Sequence, residues 1–149
     1  MLQRPAFVLG WLGLLPAFAA VGATLVGGQP LREFAFRAGA LYAGLILSFL
    51  GGAWWGLASR ARERAWLLYS IAVVPSLAAL ALLLLMDAAL VILMGVLILM
   101  TLPVDRTLGG FGLTPANWMR LRVPLSVGLG AATILLGILA LPRCEGCGG

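Results

Sequence analysis

The sequence predicts an all-α fold, a polytopic bundle of about five membrane helices, and three observations carry that expectation. Of 149 residues, 62% are hydrophobic and only 10% charged, whereas soluble domains carry roughly a quarter charged residues. The apolar residues fall in long runs, each near the roughly 20 residues a helix needs to cross a bilayer. Nearly all the arginines lie in the short segments between those runs. So little chain remains outside them that a single membrane domain without a soluble module is expected.

The first span is expected over about 7–28. Ala17 to Ala19 read AFA, which resembles the small-residue cleavage site of a signal peptide. The apolar run continues through Val26, however, which is long enough to span, so a retained helix is the favoured reading. Pro16 should kink it, and neighbouring helices would then have to satisfy the freed carbonyl. Gln29 to Glu33 form a turn, with Pro30 placed as a first-turn residue of the second span, about 34–58, where Arg37 can snorkel outward. SRARER at Ser59 to Arg64 separates it from the third span, about 65–86, which carries Pro75. The apolar run from there to Leu102 is too long for one crossing, so the chain must turn back near Asp87, whose side chain can bond its own backbone. A fourth span of about 88–103 follows, then the longest polar loop, Pro103 to Arg122. Thr114 and Pro115 read as an N-cap and first-turn Pro leading into the fifth span, about 118–141. Residues 143–149 form a flexible Cys-containing tail.

Arginine placement sets the expected orientation. Arg4, Arg60, Arg62, Arg64, Arg106, Arg120 and Arg122 fall on one side, and Arg32, Arg37 and Arg143 on the other. The richer side is expected to be cytoplasmic, and with it the amino terminus. Trp11, Trp54, Trp55, Trp66 and Trp118 all fall near that same level. The ten cations are all Arg, which with the richness in Ala, Gly, Leu and Pro reads as a GC-rich coding bias and a bacterial inner membrane. A net charge of +5 and a pI near 10.6 do not imply nucleic acid, because basic residues between apolar runs mark topology and contact with anionic lipid headgroups.

The composition also limits chemistry. Without His the chain lacks the commonest general base and metal ligand, and without Lys it lacks Schiff-base chemistry. No metal and no cofactor is expected. Asp87 and Asp105 are the acids nearest the spans, and they are expected on opposite sides of the membrane. Asp87 reads as a turn residue in preference to an intramembrane proton carrier. Cys144 and Cys147 form a CxxC outside any thioredoxin-like context and supply half a zinc site at most.

Two sets of residues are candidates for interaction. Ser48, Gly52 and Gly56 recur every four residues on the second span and form a narrow face where another helix can approach; Gly13 with Ala17 and Gly128 with Ala132 offer similar faces. Trp54, Trp55, Asn117, Trp118, Arg120 and Arg122, with Asp105 and Arg106 nearby, either make an aromatic belt with positive-inside arginines or line a pocket for a headgroup or anionic ligand.

Several segments carry a resemblance: LGWLGLLPAF, YAGLILSFLGGAWWG, VVPSLAALALLL and PANWMRLRVPLS. Together they make the chain similar to small bacterial membrane proteins catalogued as domain of unknown function 3429, related to the mitochondrial transmembrane protein 69. The family pattern commonly has His before Trp-Gly, where this chain has Trp54. The resemblance implies an inner-membrane protein of about five spans and supplies no catalytic residues. The leading expectation is a non-enzymatic protein that supports an assembly, a membrane protein partner or a second copy, through its small-residue faces. The alternative is a binder or transporter of a lipid or small amphipathic ligand at the Trp/Arg rim.

Overall fold

The computed structural model describes residues 4–61 and 65–141. Six helices follow in order: α1 (Arg4–Leu12), α2 (Leu15–Val26), α3 (Gln29–Ala58), α4 (Ala65–Leu85), α5 (Ala88–Gly110) and α6 (Trp118–Ala140). With α1 and α2 taken as one broken span, Pro5–Val26, five helices are long and apolar enough to cross a membrane. Leu45, Phe49, Leu77 and Leu84 are among the many large apolar side chains on the outer surface. A surface so continuously apolar suits a lipid solvent and not water. Arg62, Arg64, Arg143 and the Cys144–Cys147 tail lie outside the described residues.

The first span breaks at Gly13 and Leu14, with Pro16 in the first turn of α2. Proline carries no N–H, so the break falls a few residues before it. The Tyr42 hydroxyl of α3 donates to the Gly13 carbonyl at the break. This is the satisfaction that a non-helical backbone group needs in hydrocarbon. The break lets α1 lean on α6, where Gly10 faces Leu121 and Leu125, while α2 continues against α3.

α3 has 30 residues, about 45 Å of helix, and so exceeds a hydrocarbon core of roughly 30 Å. Its extra length lies at the start, where Arg37 pairs with Glu33 at 2.7 Å and Arg32 Nε donates to the Thr24 carbonyl at the end of α2 at 2.8 Å. Met86 and Asp87 alone reverse the chain between α4 and α5. The Asp87 carboxylate accepts from the Ala89 N–H at 2.8 Å, making it the N-cap of α5.

Three sequence expectations need correction. Gln29 to Glu33 are not a turn ahead of a span at 34: they open α3, and only Gly27 and Gly28 connect it to α2. The polar loop is not Pro103 to Arg122: α5 runs through Pro103 to Gly110, and only residues 111–117 connect it to α6. The helix persists because its last two turns are packed, with Asp105 and Leu108 buried. Thr114 and Pro115 do not start α6; its N-cap is Asn117, at φ 67°, a left-handed conformation that Asn tolerates better than most residues.

Within the chain, α3 meets α4 through a different register of small residues from the Ser48, Gly52, Gly56 row. A Cβ on Gly51 would lie 2.4 Å from the Ala72 carbonyl oxygen, and one on Gly44 would lie 2.6 Å from Leu83. Ser48 joins that face, sharing a hydrogen bond of 2.9 Å with Ser76. Gly52 and Gly56 point away from the bundle, and no neighbour comes within 4 Å of a Cβ placed on either. On α6 the glycines that meet α5 are Gly130 and Gly137, whereas Gly128 faces Leu14.

Gly51→Ala should therefore force α3 and α4 apart and cost about 1–3 kcal/mol, as overpacking does. Gly52→Ala should leave the thermal unfolding midpoint in detergent unchanged or slightly raised. Equal effects of the two substitutions would mean that α4 does not approach α3 in this register.

Candidate functional site

Three helices bring polar side chains to one buried cluster near the amino-terminal end of α6. Thr101 and Asp105 lie one turn apart on α5, and Trp118 and Arg122 lie one turn apart on α6, so each helix presents a pair on one face. Trp54, one turn before the end of α3, completes the ring.

Asp105 is wholly buried, and Arg122 is 6% exposed. One carboxylate oxygen of Asp105 accepts from the indole N–H of Trp54 at 2.9 Å and of Trp118 at 3.2 Å. The other accepts from Arg122 Nε at 2.6 Å and pairs with Nη2. Arg122 Nη2 also donates to the Thr101 hydroxyl at 3.1 Å, which donates in turn to the Ile98 carbonyl at 2.6 Å. The guanidinium carbon lies 5.9 Å from the centre of the Trp118 ring, within cation–π range. Both indole N–H groups, Nε and Nη2 of Arg122 and the Thr101 hydroxyl are each aimed at an acceptor, which helps to offset the desolvation of a buried ion pair. The cluster carries no net charge.

Of the rim residues read from the sequence, Trp54, Trp118 and Arg122 come together, with Asp105 at their centre. Trp55, Asn117 and Arg120 do not. Trp55 is half exposed and stacks at a tilt on Tyr69, with centroids 4.6 Å apart. Asn117 and Arg120 face outward, and Asn117 is accounted for by its backbone conformation. Arg60, Arg106 and Arg120 remain on the exposed rim. The pairing of Asp105 with Arg122 was missed from sequence, although a signal existed: Arg122 stands between Leu121 and Val123, and a cation inside an apolar run calls for an acid partner. Asp87 lies at the far end of α5, about 27 Å away along the helix axis.

Beside the cluster lies a cavity of about 430 Å³. Its walls are Gly10 and Leu14 from the broken first span, Phe49 and Ala53 from α3, and Leu125 and Ser126 from α6, with Trp54, Trp118 and Arg122 at its polar end. Exposed Leu9 and Phe49 at its edge bring it to the outer apolar surface. The cavity exists because the break at Gly13 turns α1 toward α6 and away from the Phe49 side of α3.

Removing one member of the ion pair leaves the other charged and buried. Arg122→Met should cost about 3–5 kcal/mol, and Asp105→Asn a similar amount. The double variant should lose markedly less than the sum, and thermal unfolding of the four proteins would reveal the coupling. Additive losses would mean that the pair does not form.

No curated protein and no solved structure matches this chain. The family described as protein of unknown function DUF3429 matches residues 2–138, nearly the whole length. The buried cluster, the cavity and the five candidate spans, all but the last two residues of the fifth, thus lie within the matched region, and the chain belongs to the DUF3429 family.

Proposed function

We propose that this protein is a non-enzymatic binder of a small amphipathic molecule drawn from the membrane, held in the cavity between the broken first span, α3 and α6. The observation that carries the reading is the cavity: about 430 Å³, walled by apolar side chains, and open beside Leu9 and Phe49 to the lipid-facing surface. Its volume falls within the usual range for small-molecule sites, and its few polar groups stand at one end, as such sites require for orientation. A non-enzymatic role is supported by the separation of Asp87 from Asp105 and by the engagement of both Asp105 oxygens with indole and guanidinium donors. The all-Arg, Ala-, Gly-, Leu- and Pro-rich composition supports a bacterial inner membrane and the arginine distribution supports a cytoplasmic amino terminus, an orientation in which the cavity would lie in the cytoplasmic half. Anionic headgroups would meet the exposed Arg60, Arg106 and Arg120 at the rim.

A second reading, support of a membrane partner or a second copy, is favoured by Gly52 and Gly56. They leave a smooth outward face on α3 against which none of the described residues packs. Gly52→Leu would then dissociate a co-purifying partner or oligomer.

Native mass spectrometry of protein released gently from its own membranes tests both. The cavity reading expects a stoichiometric small adduct that Ala53→Phe removes and Gly52→Leu leaves in place, with both variants eluting as single species. An adduct unaffected by Ala53→Phe, or none on the unaltered chain, would sink it.

A further inference from the structure

Within the described residues, one buried side-chain polar atom has no hydrogen-bond partner, the hydroxyl of Ser126. Ser126 is 2% exposed, sits one turn after Arg122 on the same face of α6, and lines the cavity. Other hydroxyls on these helices bond the carbonyl four residues back: Thr24 to Ala20 at 2.8 Å, Ser70 to Trp66 at 2.9 Å and Thr133 to Leu129 at 2.8 Å. Ser126 makes no such bond. In hydrocarbon no water is at hand to take its place, and an unmade hydrogen bond there is costly.

The charge of the cavity's polar end points the same way. Among the described residues, Arg122 is the cation that lines it, and it is already paired with Asp105. A carboxylate or phosphate entering beside them would place a second anion against one guanidinium in a low-dielectric setting, where an uncompensated charge is disfavoured. An uncharged head meets no such penalty. The volume, in the lower part of the small-molecule range, fits one chain and not a two-chain phospholipid.

We infer that the cavity selects an uncharged single-chain lipid whose hydroxyl or carbonyl hydrogen-bonds to Ser126, with its chain running past Leu9 and Phe49 to the bilayer. The inference rests on the cavity reading above and adds the class of its ligand. It makes Ser126 the selecting residue, and the Asp105–Arg122 pair the device that excludes anions.

Two photoactivatable probes of equal chain length, a fatty alcohol and the corresponding fatty acid, distinguish the possibilities when applied to the full-length protein in nanodiscs. The alcohol should label cavity-lining peptides saturably and at least tenfold more tightly than the acid. Ser126→Ala should weaken the alcohol about three- to tenfold, the value of one hydrogen bond. The same variant, without probe, should unfold at the same or a higher temperature, because the hydroxyl it removes is unpartnered. Acid labelling as tight as that of the alcohol, or alcohol labelling indifferent to Ser126→Ala, overturns the ligand class and leaves the cavity reading standing. Labelling by either probe that persists in Ala53→Phe, or none in the cavity by both, overturns the cavity reading and the inference with it.

Discussion

The arrangement of this bundle depends on one interaction, the ion pair between Asp105 and Arg122. Two charges held inside the hydrocarbon level of a protein must satisfy each other, because neither lipid nor water does so. Their pairing fixes the last turns of α5 against the first turns of α6, and this is why α5 remains helical past Pro103. The carboxylate then recruits Trp54 from α3 and Trp118 from α6. An indole that would otherwise look for water at the membrane surface is turned inward, and three helices are tied at one level.

Packing elsewhere is set by small residues, and their positions decide where the bundle closes and where it stays open. Gly44 and Gly51 bring α4 onto α3, and Gly95, Gly130 and Gly137 bring α5 onto α6. These contacts leave little slack on those sides. The first span divides such contacts between two partners, Gly10 against Leu121 and Leu125 of α6 and Ala20 against Gly39 of α3, since it breaks at Gly13 between them. Tyr42 holds the break by satisfying its carbonyl, so the opening between α1 and α3 is part of the fold's own hydrogen bonding. A cavity kept open this way need not be made by its occupant, which lowers the ordering cost of binding.

Much of the fold was legible because membrane helices are read from length and apolarity alone. The turn at Asp87 and the Pro30 start of α3 followed from local chemistry, since both residues act on their own backbone. The end of α5 was not legible: Pro103 followed by Val-Asp-Arg reads as a loop until it is known that Asp105 is buried against Arg122. In the same way Ser48, Gly52 and Gly56 share a face by period, but period does not say which face meets a neighbour. Leu47 and Gly51 lie beside that row and take the buried side instead. The candidate site was half legible. Trp54, Trp118 and Arg122 were marked by type and level, whereas Asn117 and Arg120 were marked by the same criteria and face outward. Ser126 carried no signal, because a serine within a membrane helix ordinarily bonds its own backbone.

Neutrality at the centre of the cluster changes what the arginine means. From sequence, an Arg beside Trp residues at a membrane surface argues for an anionic ligand, through its charge and its planar fork. Once Arg122 is paired with Asp105, that charge is spent internally, and what it presents to the cavity is a polar surface without a net field. Among the described residues, the exposed arginines at this end, Arg60, Arg106 and Arg120, stand on the rim, where they would face any anionic headgroups. The two roles are thereby separated by depth. On the reading proposed above, surface cations would meet charged lipids and the interior opening would disfavour them. An uncharged ligand of the class inferred above would be favoured by that separation, and a buried acid one helix away from the arginine supplies it.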